Sequence, residues 1–381
     1  MSIDLYRIFF PAGFVLGFWG AFVWILYTLN IMSYPGLLHP EIMMGGFLLS
    51  FVLGFLCTAV PKFTNSFPCT KKELIISVFL VIVLFIAQLM ANLQFFRMCS
   101  FAIFLFLSYF VVRRFLNRKA NPPAPFLFVG IGIIGGLFGS LILFLSKFDF
   151  ISLSFFTLGR LFIVQGYILS FVLGIGSRLI PSLLGFTPPP DQNQKELSIK
   201  AYLLLGSFFL TTYVVEAFFS ASVGMILRDF LILFIALVPW KIFKLPKRKA
   251  VHAYGLWISC WFLVLGHIGA SLFLDFKIHF MHLFYIGGLS LMTILVATRV
   301  ILSHGGHNVG TEVKSKVLYA VIILFVAAAL TRFSAGLLPS QYESHLLYGA
   351  IVWLLGLVSW GSFFIPKIIL INPDDRALKK R

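Results

Sequence analysis

Read for polarity alone, the chain is a succession of apolar stretches about 20 residues long, separated by short polar or turn-forming segments. At ~1.5 Å rise per residue, a helix of that length matches the ~30 Å hydrocarbon thickness of a bilayer. Twelve spans are predicted, over 8–30, 41–61, 74–92, 95–113, 126–146, 152–178, 199–218, 220–240, 252–274, 279–301, 315–334 and 346–371. Several breaks carry turn chemistry, as at Asn121-Pro122-Pro123 and Pro188-Pro189-Pro190-Asp191. The first stretch is too long for a cleavable leader and lacks a small-residue cleavage site behind it, so it is expected to remain as a span. The expected fold class is an all-α membrane protein, a single polytopic domain over 1–381.

Two of the stretches are near copies. GFLLSFVLGFLCTAVP at 46–61 and GYILSFVLGIGSRLIP at 166–181 share Leu-Ser-Phe-Val-Leu-Gly in register and end on a matching proline. A fainter third copy, GGLSLMTILVATRVIL at 287–302, pairs Gly287 with Gly166 and Arg299 with Arg178. The copies recur every four spans. Twelve transmembrane helices then divide into three pseudo-symmetric four-helix units, approximately 1–120, 121–245 and 246–381, with spans two, six and ten equivalent about a pseudo-threefold axis. Gly46, Gly54, Gly166, Gly174, Gly176, Gly287 and Gly288 would let those helices approach neighbours or a flat ligand closely. Internal repetition is also how many transporters are built, so a secondary transporter or exporter of a charged small molecule is the alternative reading.

Composition sharpens the class. Of 381 residues 60% are hydrophobic and 11% charged, and the mean hydropathy is +1.00, too little polar surface to clothe a water-soluble globule. The net charge of +17 is a matter of placement. Lys and Arg gather at the start (Arg7) and after even-numbered spans: Lys62, Lys71 and Lys72; Arg113, Arg114, Arg118 and Lys119; Arg178, Lys195 and Lys200; Lys241 to Lys249; Arg299, Lys314 and Lys316; and Lys367 to Arg381. By the positive-inside rule both termini are cytoplasmic, and the charge is not a nucleic-acid footprint. Cys57, Cys69, Cys99 and Cys260 stand singly, with no Cys-x-x-Cys and no Cys-x-x-Cys-His, so they read as packing residues.

The candidate chemistry lies with eight histidines. His39, His279, His282 and His345 open spans from the outer side, and His267 lies deep in an outward-running span nine, so five share one level. His252, His304 and His307 form a smaller cytoplasmic group; His307 and His345 read as surface residues. Imidazole is a frequent ligand of haem iron and a common one of copper, and burying it near lipid calls for a metal or a polar partner. His279 and His282, three apart, are expected on about the same helical face. His39 and His282, or His279, are the expected axial pair for a haem, with Glu41, His267 and His279 as candidate ligands of a neighbouring metal. Simple interfacial histidines in contact with water are the other reading. Glu41 fits a metal ligand, an acceptor that orients an imidazole, or a charge at a helix N-terminus. Intramembrane Arg160, Arg228 and Asp229 need partners or a charged substrate, and Arg332, at the level of the histidines, suits a haem propionate or simple snorkelling.

Four stretches carry a family resemblance. LHPEIMMGGFLLSFVLGFLCTAVP, with Glu41 and Thr58-Ala59-Val60-Pro61, resembles a His-x-His-Glu-Met stretch leading into a Gly-Phe-rich helix in the NnrS family of membrane proteins. Gly176-Ser177-Arg178-Leu179-Ile180-Pro181 resembles its Gly-Gly-Arg-(Val/Ile)-Ile-Pro. His252-Ala253-Tyr254-Gly255-Leu256-Trp257 is similar to a His-x-Gly-Tyr-x-Trp run. The helix from His282 through Met292-Thr293 and Thr298-Arg299-Val300 to Ser303-His304 resembles a fourth motif. Leu38 and Pro40 stand where the family has its two histidines, with His39 between them.

The resemblance implies a haem- and copper-containing protein of the bacterial inner membrane, tied to nitric oxide handling and protection from nitrosative stress. Its expected partners are lipid, nitric oxide or a related small ligand, and an electron donor of unassigned identity, but no nucleic acid. A second possible site, at the cytoplasmic face, comprises His252, His304, Arg178 and Arg299. The main subunit of haem-copper oxidases is similar in architecture, with twelve spans, threefold pseudo-symmetry and haem-ligating histidines on spans two and ten. The absence of histidine from spans six and seven here argues against that superfamily's second metal centre.

Overall fold

The computed structural model describes residues 4–148, 151–187 and 196–369. The Pro188–Asp191 turn, Lys195 and the C-terminal Arg376, Lys379, Lys380 and Arg381 lie outside the described residues. The described chain is all helical. Its long helices are, in order, α1 (Tyr6–Thr28), α2 (Leu38–Phe63), α3 (Lys71–Leu89), α4 (Leu93–Leu116), α5 (Ala124–Leu145), α6 (Leu153–Leu184), α7 (Ile199–Phe218), α8 (Ala221–Leu237), α9 (Val251–Leu272), α10 (Leu274–Gly305), α11 (Lys316–Ser334) and α12 (Pro339–Ile368). All but α8 are long and apolar enough to cross a membrane, which makes eleven such helices among the described residues and a multi-pass membrane protein. At 17 residues α8 is ~26 Å long, short of the ~30 Å of hydrocarbon, and it packs on α7 and α9. The eighth expected span is therefore the one that falls short.

Helix starts follow from local chemistry. Thr70 caps α3 through a reciprocal box: its hydroxyl accepts from the Glu73 amide at 3.3 Å, and the Glu73 carboxylate accepts from the Thr70 amide at 2.8 Å. Asn92, Ser152, Ser220 and Ser315 cap α4, α6, α8 and α11 in the same sense.

The bundle is organised around α2, α6 and α10. α2 is buried almost throughout and α6 nearly so, whereas α3 and α7 keep most of their surface exposed, as helices facing lipid would. Each central helix is interrupted by a π-helical stretch: Ile42–Leu48 in α2, Phe162–Gly166 in α6 and Leu283–Ser290 in α10. They begin 120 and 121 residues apart, the spacing of the sequence copies. The same helices end on left-handed residues at Asn65, Gly185 and Gly306, again 120 and 121 apart; glycine takes this conformation freely and asparagine tolerates it. The Tyr167 hydroxyl of α6 donates at 2.5 Å to the Met44 carbonyl inside the α2 stretch, which also accepts from the Leu49 amide, and so joins two of the three helices.

Close approach is set by glycine where α9 meets α10. A Cβ on Gly266 would stand 2.5 Å from the Phe284 amide nitrogen, and one on Gly288 2.9 Å from the Leu263 Cα, so neither helix tolerates a side chain there.

Candidate functional site

The starts of α2, α6, α8, α10 and α12 and the ends of α1, α7 and α11 meet at one end of the bundle. There they line a cavity of about 740 Å³, within the ~300–1,000 Å³ typical of small-ligand sites. His39, Arg160, Gln165, Glu216, Tyr285 and Arg332 give it polar groups; Met43, Met44, Met225, Met281, Trp24 and Trp353 are among its apolar walls.

The two imidazoles on this wall have matching geometry. His39 Nδ1 lies 2.7 Å from the Gly20 carbonyl of α1, and His282 Nδ1 lies 2.6 Å from the Ile278 carbonyl one turn back. A carbonyl oxygen only accepts, so each Nδ1 carries the proton, and each neutral ring presents Nε2 as a lone pair. Neither Nε2 has a hydrogen-bond partner among the described residues. This is the arrangement by which proteins orient metal-ligating histidines, the second nitrogen fixed by a backbone acceptor.

The other candidates are engaged elsewhere. Glu41 is held by Arg97, whose Nη2 and Nε both lie 3.0 Å from its carboxylate, and it does not line the cavity. His267 is fully buried, its Nδ1 2.5 Å from Asp229, whose second oxygen accepts from Ser271. His279 turns away: its ring packs against Gly336, where an added Cβ would stand 2.5 Å from the imidazole. Residues three apart differ by about 60° around a helix, and here that separates a ring on the cavity from a ring against the loop after α11. The expectation that both would share a face is corrected accordingly. Among the described residues no group of three or more His, Cys, Asp or Glu is placed to hold a metal ion.

Arg228 is also satisfied within the protein, by Glu216 at 2.8 Å, Gln165 at 2.7 Å and Thr212 at 3.1 Å, with its guanidinium 3.5 Å from the centre of the Tyr213 ring. Lys277 reaches the same Glu216 at 3.0 Å. Arg228 and Asp229 thus both have partners within the protein. Gln165, Glu216 and Tyr285 are site residues that the sequence did not single out, each a polar side chain within an apolar span.

At the opposite end sit the members of the second expected site. His252 Nε2 meets the Leu295 carbonyl at 2.9 Å, His304 Nδ1 meets Lys62 Nζ at 2.9 Å, and Arg299 pairs with Glu312 at 2.5 Å. Arg178 lies half-buried on α6. His252, His304 and Arg299 thus bond to separate partners. His307 binds the Lys367 carbonyl at 2.8 Å, and His345 lies 3.1 Å from the Ser334 hydroxyl. Asp4, ahead of α1, lies 3.9 Å from His304; burial pushes its carboxyl up, but His304, Lys62 and Arg7 outweigh that and hold it below the usual 3.8.

A helical multi-pass membrane protein with two oriented, otherwise unpaired imidazoles on one cavity is the class these features define. The family described as NnrS protein matches residues 6–371, nearly the whole chain, and the protein belongs to that family, which is related to the response to nitric oxide. No curated protein matches the chain.

Proposed function

We propose that the cavity is a haem site and that the protein handles nitric oxide in the bacterial inner membrane, both termini cytoplasmic. The observation that carries this reading is the pair His39 and His282: two rings from α2 and α10 that line one cavity, each with Nδ1 tied to a carbonyl and Nε2 unpaired, the cavity large enough for a macrocycle. Haem iron, when bound, supplies a centre to which nitric oxide adds directly. The chain's own part is to fix the imidazole tautomers, to line the space with methionine and tryptophan, and to keep water out with apolar walls. Glu41, His267 and His279 are taken up by other contacts, so the reading assigns copper no ligand set.

The reading extends to architecture: twelve crossings in three four-helix units, with α8 as the short crossing. The recurrence of π stretches and left-handed helix ends at 120 and 121 residues supports it. The basic helix ends opposite the cavity support cytoplasmic termini, and on that reading the cavity lies towards the outer leaflet.

The test is a visible spectrum of detergent-purified protein. A Soret band that shifts on nitric oxide addition and is lost in both His39→Ala and His282→Ala is expected. A colourless protein of full helicity that takes up no haemin would refute the haem site.

A further inference from the structure

An unbalanced cation is costly in the apolar part of a membrane protein, so its position calls for an explanation. The cavity wall carries Arg160, Lys277 and Arg332 against Glu216 and Asp275. The carboxylates do not cover the cations. Glu216 is already shared between Lys277 at 3.0 Å and Arg228 at 2.8 Å, and Asp275 is exposed at the start of α10. Neither Arg160 nor Arg332 forms an ion pair among the described residues. Arg332 is 7% exposed; its guanidinium makes one long hydrogen bond, Nη2 to the Tyr342 hydroxyl at 3.4 Å, and its Nη1 is buried with no partner. Arg160, which is exposed, stands in the turn of α6 just ahead of its π stretch, the turn that carries His39 in α2 and His282 in α10. The three central helices therefore offer the cavity two imidazoles and one guanidinium from corresponding turns, and α11 adds the second guanidinium.

We propose that Arg160 and Arg332 form an anion seat, and that the ligand this cavity takes carries carboxylate or a similarly small oxyanion. A guanidinium presents a planar fork of donors that matches such a group, and charge-assisted bonds of this kind strengthen where water is scarce. The anion has two possible sources of the same chemistry: the side-chain carboxylates of a haem, in which case the seat rests on the haem reading above, or a free oxyanion such as nitrite, in which case it does not.

The experiment is a Soret titration of the full-length apoprotein with haemin and with haemin dimethyl ester, whose carboxylates are masked. Haemin is expected to bind tighter than the ester by about ten- to a hundredfold, the worth of hydrogen bonds to a charged group. Arg332→Gln and Arg160→Gln should each narrow that gap by weakening haemin more than the ester, and Arg332→Lys, which keeps the charge but loses the fork, should fall between. Equal affinities in the unsubstituted protein, or a gap that neither substitution narrows, overturn the seat and leave the haem site standing. If neither porphyrin binds, the haem site fails and calorimetry with sodium nitrite decides the seat: binding abolished in Arg332→Gln supports it, and no binding in the unsubstituted protein overturns it. Circular dichroism and a single symmetric elution peak certify the folding of each variant.

Discussion

Glu216→Gln isolates the charge balance on which the cavity wall rests. Arg228 is fully buried and Glu216 is its nearest negative charge, at 2.8 Å; the neighbouring Asp229 is already committed to His267 and Ser271. At that distance the attraction is ~6 kcal/mol for an effective dielectric constant of ~20. The amide would keep volume and shape, and Arg228 would retain Gln165, Thr212 and the Tyr213 ring, so the net loss is expected to be about 3–5 kcal/mol, the usual cost of orphaning a buried charge. Thermal unfolding in detergent, read by tryptophan fluorescence and by the folded fraction on size exclusion, should show a Tm lower by roughly 5–10 °C. Two companions make the logic refutable. Lys277→Gln removes a partner that is 37% exposed and should cost under about 1 kcal/mol. Adding Arg228→Met to Glu216→Gln should recover most of the loss, because no buried charge remains. A Glu216→Gln protein that melts within ~1 °C of the unsubstituted one, or a Lys277→Gln protein that loses as much, would refute the account.

Tyr167→Phe should destabilise by about 0.5–1.5 kcal/mol by removing the bond between α6 and the Met44 carbonyl, which keeps the Leu49 amide as its donor, with the disturbance seen as faster amide exchange over 42–48. Asp4→Asn tests the opposite end. A carboxyl held below 3.8 contributes stability that is present above that value and lost as the pH falls through its folded pKa. Asp4 is 39% exposed, so the difference between the two proteins is expected to be under about 1 kcal/mol at neutral pH and to vanish in acid; a difference that grows as pH falls would contradict the assignment.

Much of the fold was legible because membrane spans announce themselves by length and apolarity, and the repeat by literal copying. The register of 46–61 against 166–181 reappears as matched interruptions and matched endings of three helices. The interruptions themselves were not legible, since Ile42–Leu48 differs in no compositional way from an ordinary apolar helix. Depth was readable too: His39, His282 and Arg332 were placed at one level from span direction alone, and they line one cavity. Azimuth was not. Whether a side chain at a given height faces the cavity, a neighbouring helix or a loop depends on a rotation of tens of degrees, and a π turn changes that rotation. Hence His279 was grouped with His282 although its ring lies on Gly336, and Glu41 was held open as a ligand although Arg97, far off in sequence, claims it. Asp229 and His267 were each singled out, but nothing in sequence spacing announced that they meet.

The extra residue in each wide turn uncouples two halves of a rod. Deleting one residue from an ordinary helix twists everything beyond it by about 100° relative to everything before. Deleting one from 42–48, 162–166 or 283–290 would restore regular winding locally, and the change in length would be absorbed where it occurs. The upper turns bearing His39, Arg160 and His282 can therefore keep their aim through the loss of a single residue while the lower halves, packed through Phe51, Phe171 and their neighbours, keep their seating. Length variation confined to these three windows is tolerated without turning the cavity's polar groups away from it.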